Sequence, residues 1–250
     1  MQKVTLVMVE TESYELARVA LLQSIAKYPF EQRIVFTDRP EHFPEAQCVK
    51  IPKIESITQY NNLMLRVVPD FITTPFFLVV QFDGFILNES AFDTVFFEYD
   101  YIGAPWSGEP ELLCVGNGGF SWRSKRLADA VKECVRDLNI DEAEDIVVCQ
   151  RLRQGLENRI GLRFATRSVA QRFSFEFPAV DVPTFGFHGV FNLPLLYKNN
   201  IDWLVHHLPS RVLMEGPGFN LFVLTMDALG LDKTLLIERA RLARRSQHEN

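Results

Sequence analysis

Apolar residues near the N-terminus come in short continuous runs. Val4 to Val9 reads Val-Thr-Leu-Val-Met-Val, Arg33 to Thr37 encloses Ile-Val-Phe, and Phe76 to Phe82 reads Phe-Phe-Leu-Val-Val-Gln-Phe. Runs of this length, rich in Val and Phe, predict strands buried on both faces. Between the first two, the apolar spacing changes to the helical period. Leu16, Val19, Ala20, Leu22 and Ile25 are available for one face of a helix over 14–27. A second helical pattern runs over 56–68, and Cys48–Ile51 predicts a short third strand that Pro52 ends. Strand and helix alternate, so the pattern predicts an α/β protein with parallel pairing and right-handed crossovers.

The pattern loosens after residue 100. Gly103, Pro105, Gly108 and Pro110 mark a loop, and Gly116-Asn117-Gly118-Gly119 a turn. Helices are predicted over 125–138 and 141–156, the second with acids in its first turn, where the helix dipole favours them. A short strand is expected over 163–166, an irregular segment rich in Phe and Pro over 170–195, and a turn at Gly216-Pro217-Gly218. The tail from Arg239 to Asn250 is charged. No internal repeat, low-complexity tract or linker interrupts the chain. The expectation is one domain over 1–250, regular to about residue 100 and less regular from 101 to 250.

Composition narrows the function. An apolar fraction of 47% with 21 Phe supports a sizeable core. A net charge of −6 gives no global basic field for nucleic acid. A local basic face from Arg151, Arg153, Arg159 and Arg163 is the exception to examine. Cys48, Cys114, Cys134 and Cys149 lack C-x-x-C spacing, which argues against structural zinc and for reduced, buried thiols. No signal-peptide pattern opens the chain, and no apolar segment suits a membrane span, so a cytoplasmic protein is expected.

Four features carry candidate chemistry. Asp83 follows a buried strand and precedes Gly84. Asp is costly in a strand interior, so it belongs at the carboxyl end, where open α/β sheets bind ligands; a turn Asp before Gly is the alternative. The Gly116–Gly119 turn can bring backbone N–H groups close to an anion or be only a turn, and it matches neither the P-loop nor the Rossmann fingerprint. Glu144-Asp145 stands at the entrance to the apolar Ile146-Val147-Val148-Cys149. A carboxylate there suits a general base, or the pair is solvated and serves the dipole. His188, in Phe185-Gly186-Phe187-His188-Gly189, suits a metal or phosphate contact, or is a loop His packed between rings.

These features fall into an ordered series. Gln81-Phe82-Asp83 is followed by Tyr101-Ile102-Gly103-Ala104-Pro105-Trp106, then by Gly116-Asn117-Gly118-Gly119-Phe120-Ser121-Trp122-Arg123. Glu144-Asp145, Phe173-Ser174-Phe175-Glu176 and Phe185-Gly186-Phe187-His188 come next. The series resembles a family of glycosyltransferase-like proteins formally described as a domain of unknown function, over roughly residues 4–195. Its usual pattern resembles Q-x-D, Y-I-G-A-P-W, G-N-G-G-x-S-x-R, E-D, F-x-x-E and F-G-x-H.

That family in turn resembles GT-A type nucleotide-sugar transferases. The resemblance implies a Rossmann-type mixed sheet flanked by helices, with a nucleotide-binding half at about 1–100 and an acceptor-side half at about 101–250. It implies Asp83 and His188 as ligands of a divalent cation, Mn or Mg. Gln81 stands where a first Asp often stands, which leaves one carboxylate fewer. Asn117, Gly118 and Gly119 would lie beside the donor sugar and diphosphate, with Gln81. Glu10 and Asp38, at the ends of the first two strands, and Tyr60, Asn61 and Arg66, on the helix before the Asp83 strand, would also reach the donor. Asp145 would be the catalytic base, with Glu144 as neighbour or substitute.

The expected function is transfer of a sugar from a nucleotide-diphosphate sugar to an acceptor hydroxyl, metal-assisted and inverting. The acceptor class spans a glycan, a lipid-linked intermediate, a protein side chain or a modified nucleobase in DNA. The alternatives are a nucleotidyltransferase or sugar-nucleotide hydrolase on a related fold, and a non-catalytic carbohydrate-binding or assembly protein.

Overall fold

A computed structural model describes residues 2–176 and 183–248. Part of the Phe- and Pro-rich segment, 177–182, and the end of the charged tail, 249–250, lie outside the described residues.

The apolar runs are strands, as their composition requires. β1 (Val4–Val9), β2 (Gln32–Thr37), β3 (Gln47–Lys50) and β4 (Phe76–Val80) pair in parallel in the order β3-β2-β1-β4. Two short strands, β5 (Tyr101–Ile102) and β6 (Ser121–Ser124), complete a six-stranded sheet; β6 runs antiparallel to both β4 and β5. The sheet is therefore mixed. The continuous runs have a direct cause. Leu6, Met8, Leu78 and Val80 enter one apolar cluster, while Val7, Val9, Phe77 and Val79 enter another on the opposite face. Alternate residues point to opposite faces, so a strand covered on both must be apolar throughout.

Helix α1 (Tyr14–Lys27) covers the first face with Leu16, Ala17, Ala20 and Leu21. Leu22, expected in that stripe, is instead 40% exposed, because the buried ridge follows the i, i+4 rows from residues 16 and 17. The other face is covered by α2 (Ile57–Asn62), a π-helical turn (Leu63–Val67) and α3 (Val68–Phe71), with Met64 and Val68 packed down. Helix α4 (Lys125–Cys134) stops short of the predicted 138. The next helix begins at Glu144, not 141. It runs as α5 (Glu144–Ile146), a π-turn (Val147–Arg151), α6 (Arg153–Gly155) and a second π-turn (Leu156–Ile160).

Helix α7 (Arg167–Phe173) then leads to a two-stranded parallel ribbon, β7 (Ser174–Phe175) with β8 (Gly186–Phe187). The strand expected over 163–166 is a single bridge from Phe164 to Tyr101. Four helices close the chain, α8 (Leu193–Leu196), α9 (Ile201–His207), α10 (Pro217–Ala228) and α11 (Thr234–His248). Pro217 starts α10 rather than making a turn, the helix position that tolerates its missing N–H.

The heavy Phe usage has a location. Phe92, Phe97 and Phe185 pack edge-on and tilted around Trp122, Tyr28 and Phe120, Phe173 stacks on Phe120, and Phe96 meets Phe92 and Phe173 edge-on. The same buried cluster reaches from Val4 to Ala240, so it joins the sheet to the terminal helices. The thiols are only partly as expected. All four are free, and Cys114 and Cys149 are buried, but Cys48 is half-buried and Cys134 is exposed at the end of α4.

Three of the four arginines of the expected basic face are paired with carboxylates. Arg153 is buried and pairs with Glu157, while Arg151 and Arg163 pair with Glu142 and Glu98. No described helix is long and apolar enough to cross a membrane.

One close approach fixes how the loop after β5 meets the glycine turn. A Cβ on Gly103 would lie 1.6 Å from the Gly116 carbonyl oxygen and 2.7 Å from that of Asn117. Both are backbone atoms, which cannot swing aside as a side chain does. Gly103→Ala should therefore destabilise the fold by about 3 kcal/mol or more, at the upper end of overpacking costs, read as a lower urea midpoint.

Candidate functional site

β4 ends at Val80 rather than Phe82. Beyond it Gln81 and Gly84 exchange both backbone hydrogen bonds, at 2.9 and 3.1 Å, and put Phe82 and Asp83 at the tip of a tight turn. The Asp83 carbonyl accepts the Gly189 N–H at 2.9 Å, which ties this turn to the loop carrying His188. The Asp83 Oδ1 atom is buried and has no hydrogen-bond partner. His188 Nε2 is 3.9 Å from it, and His188 Nδ1 is 3.3 Å from the Glu176 carboxylate. The Asn192 amide holds both backbones by donating to the carbonyls of Glu176 and His188, at 3.1 and 2.9 Å. Burial opposes a charge on His188. The carboxylates of Asp83, Glu176 and Asp145 outweigh it and hold the imidazole above its ordinary pKa.

The glycine turn lies against this pair. A Cβ on Gly119 would stand 2.1 Å from His188 Nε2 and 2.5 Å from Gln81 Oε1. Both side-chain atoms thus crowd one point above the Gly119 backbone, and only glycine leaves them room. Gln81 is oriented by donating its amide N–H to the Tyr60 hydroxyl at 2.8 Å, which leaves Oε1 facing the turn. Asn117 is buried and adopts a left-handed φ of 63°, a conformation Asn tolerates better than most residues.

Glu144 and Asp145 divide the acid pair between two tasks. Glu144 is buried and takes a two-pronged contact from Arg123, at 2.5 Å from Nη2 and 2.8 Å from Nη1. A Cβ on Gly118 would meet Glu144 Oε1 at 1.9 Å. Arg123 also donates to the Gly118 carbonyl at 3.2 Å and to the Ser121 hydroxyl at 2.8 Å. Burial works against the Arg123 charge, but Glu144 more than restores it and raises its pKa. Burial also raises the Glu144 pKa against the pull of Arg123; the bidentate geometry decides, and the pair is ionised. Asp145 instead faces the turn. Its Oδ2 accepts the Gly118 N–H and its Oδ1 accepts the Ile146 N–H, each at 2.9 Å.

Beside these groups an open cleft of about 490 Å³ is lined by Val9, Glu10, Thr11 and Glu12 after β1, Ser56 and Tyr60 at α2, and Gln81 and Phe82 after β4. The sheet order explains its position. The chain winds outward from β1 through β2 to β3, then returns to the other side of β1 with β4. A crevice opens at the carboxyl ends where the winding reverses. Glu10 Oε1 accepts the N–H groups of Glu12 and Ser13, at 2.6 and 2.7 Å, and burial raises its pKa.

Three expected donor contacts do other work. Asp38 accepts the Tyr14 hydroxyl at 2.8 Å. Asn61 donates to the Glu142 carbonyl at 2.6 Å, and Arg66 to that of Val135 at 2.6 Å and to that of Leu138. Arg66 thus ties the π-helical turn to the end of α4. In the sequence Arg123 is only the end of the glycine motif, and no motif or spacing marks Arg211.

Among the described residues no group of three or more His, Cys, Asp and Glu side chains is placed to hold a metal ion. Asp83 and His188 instead form a two-residue set, one hard oxygen and one imidazole nitrogen, with the carboxylate oxygen buried and unpartnered. That donor set fits Mn or Mg if further ligands come from substrate and water.

A family model described as "Protein of unknown function (DUF5672)" matches residues 45–188, more than half of the chain. The span includes Asp83, the glycine turn, Glu144-Asp145 and His188. No curated protein sequence matches. Among solved structures, a glycosyltransferase involved in glycosylation of the major capsid of PBCV-1 is 12% identical, with a TM-score of 0.49, over 74% of this chain and 92% of that one. The mannosyltransferase PcManGT from Pyrobaculum calidifontis, in complex with GDP-Man and Mn2+, is 10% identical, with a TM-score of 0.47, over 99% and 75%. The bifunctional IspDF from Campylobacter jejuni is 11% identical, with a TM-score of 0.43; the match covers 65% of this chain and 48% of that longer protein. All three likenesses are distant.

The split between the two acids is measurable. Glu144→Gln leaves Arg123 buried beside a neutral partner and should cost about 3–5 kcal/mol of stability, seen as a lower urea midpoint. Asp145→Gln, at a half-exposed position, should cost much less. Equal losses in the two variants would contradict the structural role of Glu144.

Proposed function

The chain belongs to this family of unknown function, and we propose that within it the protein is a glycosyltransferase of GT-A type. It would move a sugar from a nucleotide-diphosphate sugar to an acceptor hydroxyl. The observation that carries the reading is the buried, unpartnered Asp83 oxygen facing His188 beside the switch-point cleft. Diphosphate departure needs compensation for growing negative charge, and these are the groups suited to arranging it.

A divalent cation, Mn or Mg, would be held by Asp83 and His188 and would supply Lewis-acid stabilisation of the leaving diphosphate. The chain's own residues do the rest. Glu176 accepts the Nδ1 proton of His188 and so orients its Nε2 towards Asp83. Tyr60 orients Gln81, and the missing side chains of Gly118 and Gly119 leave room for Glu144, His188 and Gln81 at the turn that would lie beside the donor sugar. Asp145 would act as general base. Its two N–H contacts fix the plane of the carboxylate, and each oxygen keeps a further lone pair for the proton of an acceptor hydroxyl. A base of this kind supports a single displacement with inversion.

A thermal-shift panel of UDP, GDP, CDP and ATP, with and without Mn, tests the reading. Metal-dependent stabilisation by a nucleoside diphosphate is expected, and no response to any of them would sink the proposal. Asp83→Asn should keep the fold and lower transfer about 100-fold or more at saturating donor. Near wild-type turnover in that variant removes Asp83 from the chemistry. Asp145→Asn should bind donor normally, with kcat down about 10²–10⁴-fold. NMR assignment of the product anomer should show inversion; retention would rule out Asp145 as the base, even if the variant were inactive.

A further inference from the structure

The cleft is lined by three carboxylates, Glu10, Glu12 and Glu55, and by one cation among the described residues, Arg211. Asp83 and Asp145 lie close by. A diphosphate entering this space meets strong like-charge repulsion, so a fixed positive group is worth most here. Arg211 comes from outside the segment that matches the family and from outside every motif described above.

Its backbone is well anchored. The turn Ser210–Leu213 sits between the buried Leu208 and Leu213. Arg239, on α11, donates to the carbonyls of Val205 and Leu208 just before it. The side chain then reaches back to the sheet edge. Its Nε donates to the Glu12 carboxylate at 2.8 Å, and the guanidinium lies 5.3 Å from the centre of the Phe82 ring, one residue before Asp83. Among the described residues only Nε is hydrogen-bonded, and 61% of the side chain is accessible. The guanidinium is thus held in the cleft by an exposed ion pair and a ring face, both weak enough to give way.

We propose that Arg211 binds the diphosphate of the donor, exchanging the Glu12 carboxylate for phosphoryl oxygens when a nucleoside diphosphate enters. The inference rests on the nucleotide-sugar reading of this site. Its basis is the match between a planar five-donor fork and phosphoryl oxygens, which exceeds the match to a single carboxylate contact. Glu12 then acts as a placeholder. It keeps the guanidinium aimed at the cleft and competes with the ligand. The terminal helices acquire a role in donor binding through this one side chain.

Calorimetric titration of the full chain with UDP, GDP and CDP, and with the corresponding nucleosides, in the presence of Mn, tests this. Arg211→Ala should weaken the preferred diphosphate about 10–100-fold and leave the nucleoside unchanged. Arg211→Lys should restore part of the loss, because charge returns without the fork. Glu12→Gln should tighten diphosphate binding about 2–5-fold by removing the competitor. Unchanged diphosphate affinity in Arg211→Ala overturns the role of Arg211 and leaves the nucleotide site standing. Equal weakening of nucleoside and diphosphate in that variant, or weaker binding in Glu12→Gln, shows a structural contact instead and overturns it too. Absence of diphosphate binding by the wild-type chain overturns both readings together.

Discussion

The buried contact between Arg123 and Glu144 governs how the rest of the site is built. Arg123 is on β6 and Glu144 opens α5, so the pair pins a helix start to the sheet. Buried ion pairs are poor sources of net stability, because desolvation consumes most of the attraction. Their use here is positional. Arg123 also grips the Gly118 carbonyl, so the same guanidinium sets the height of the glycine turn. With Glu144 turned under the turn, its neighbour Asp145 must point over it, and it accepts the Gly118 N–H. Two adjacent carboxylates thereby gain opposite environments from one interaction.

A second constraint comes from the sheet. Four parallel strands wind both ways from β1, and the crevice at their reversal needs no special residues to exist. Local features only decide what faces it. The tight Gln81–Gly84 turn ends β4 early and swings Asp83 out of the strand. The hydrogen bond from Gly189 to Asp83 brings in the His188 loop, and Gly119 leaves space for His188 and Gln81 to meet. Residues far apart in sequence are gathered by backbone contacts first and by side chains second. This explains why so many of the grouped positions are glycines.

What could be read from the sequence follows from the range of the interactions. The strands β1 to β4 and helix α1 were legible because burial on two faces imposes an apolar pattern over consecutive residues. The place of Asp83 at the sheet edge was legible because an acid after such a run is chemically incongruous, and the structure sets it, as the alternative had it, in a turn before Gly84. The stopping points were less so. Helix α4 ends four residues early, where Arg66 takes the carbonyls of Val135 and Leu138, and the following helix begins at Glu144, which Arg123 holds; tertiary contacts accompany both boundaries. Asn61 and Arg66 sit on the expected helix, yet they face the loop between α4 and α5. Helical spacing gives a face, and only the packing of a later segment says what that face meets. The expected basic face fails at Arg153, which lies buried over Phe164.

Arg211 marks the limit of such reading. Nothing in Pro209-Ser210-Arg211 differs from an ordinary surface turn, and its partner Glu12 lies at the other end of the chain. The pairing depends on α9 and α11 docking onto a core that also contains β1, through buried residues as distant as Val4 and Ala240. An acidic rim with one opposing cation is a property of the assembled surface, visible only once both ends of the chain are in place. The motif region supplies carboxylates and an imidazole, the groups proposed above to hold a cation. Among the described residues it supplies no positive side chain to the lining of the open cleft; Arg123 is buried and bonded to Glu144, Gly118 and Ser121 beneath the turn. On the proposal above, neutralising an anion there would fall to a residue outside the motifs, and the turn between α9 and α10 would join the site through Arg211.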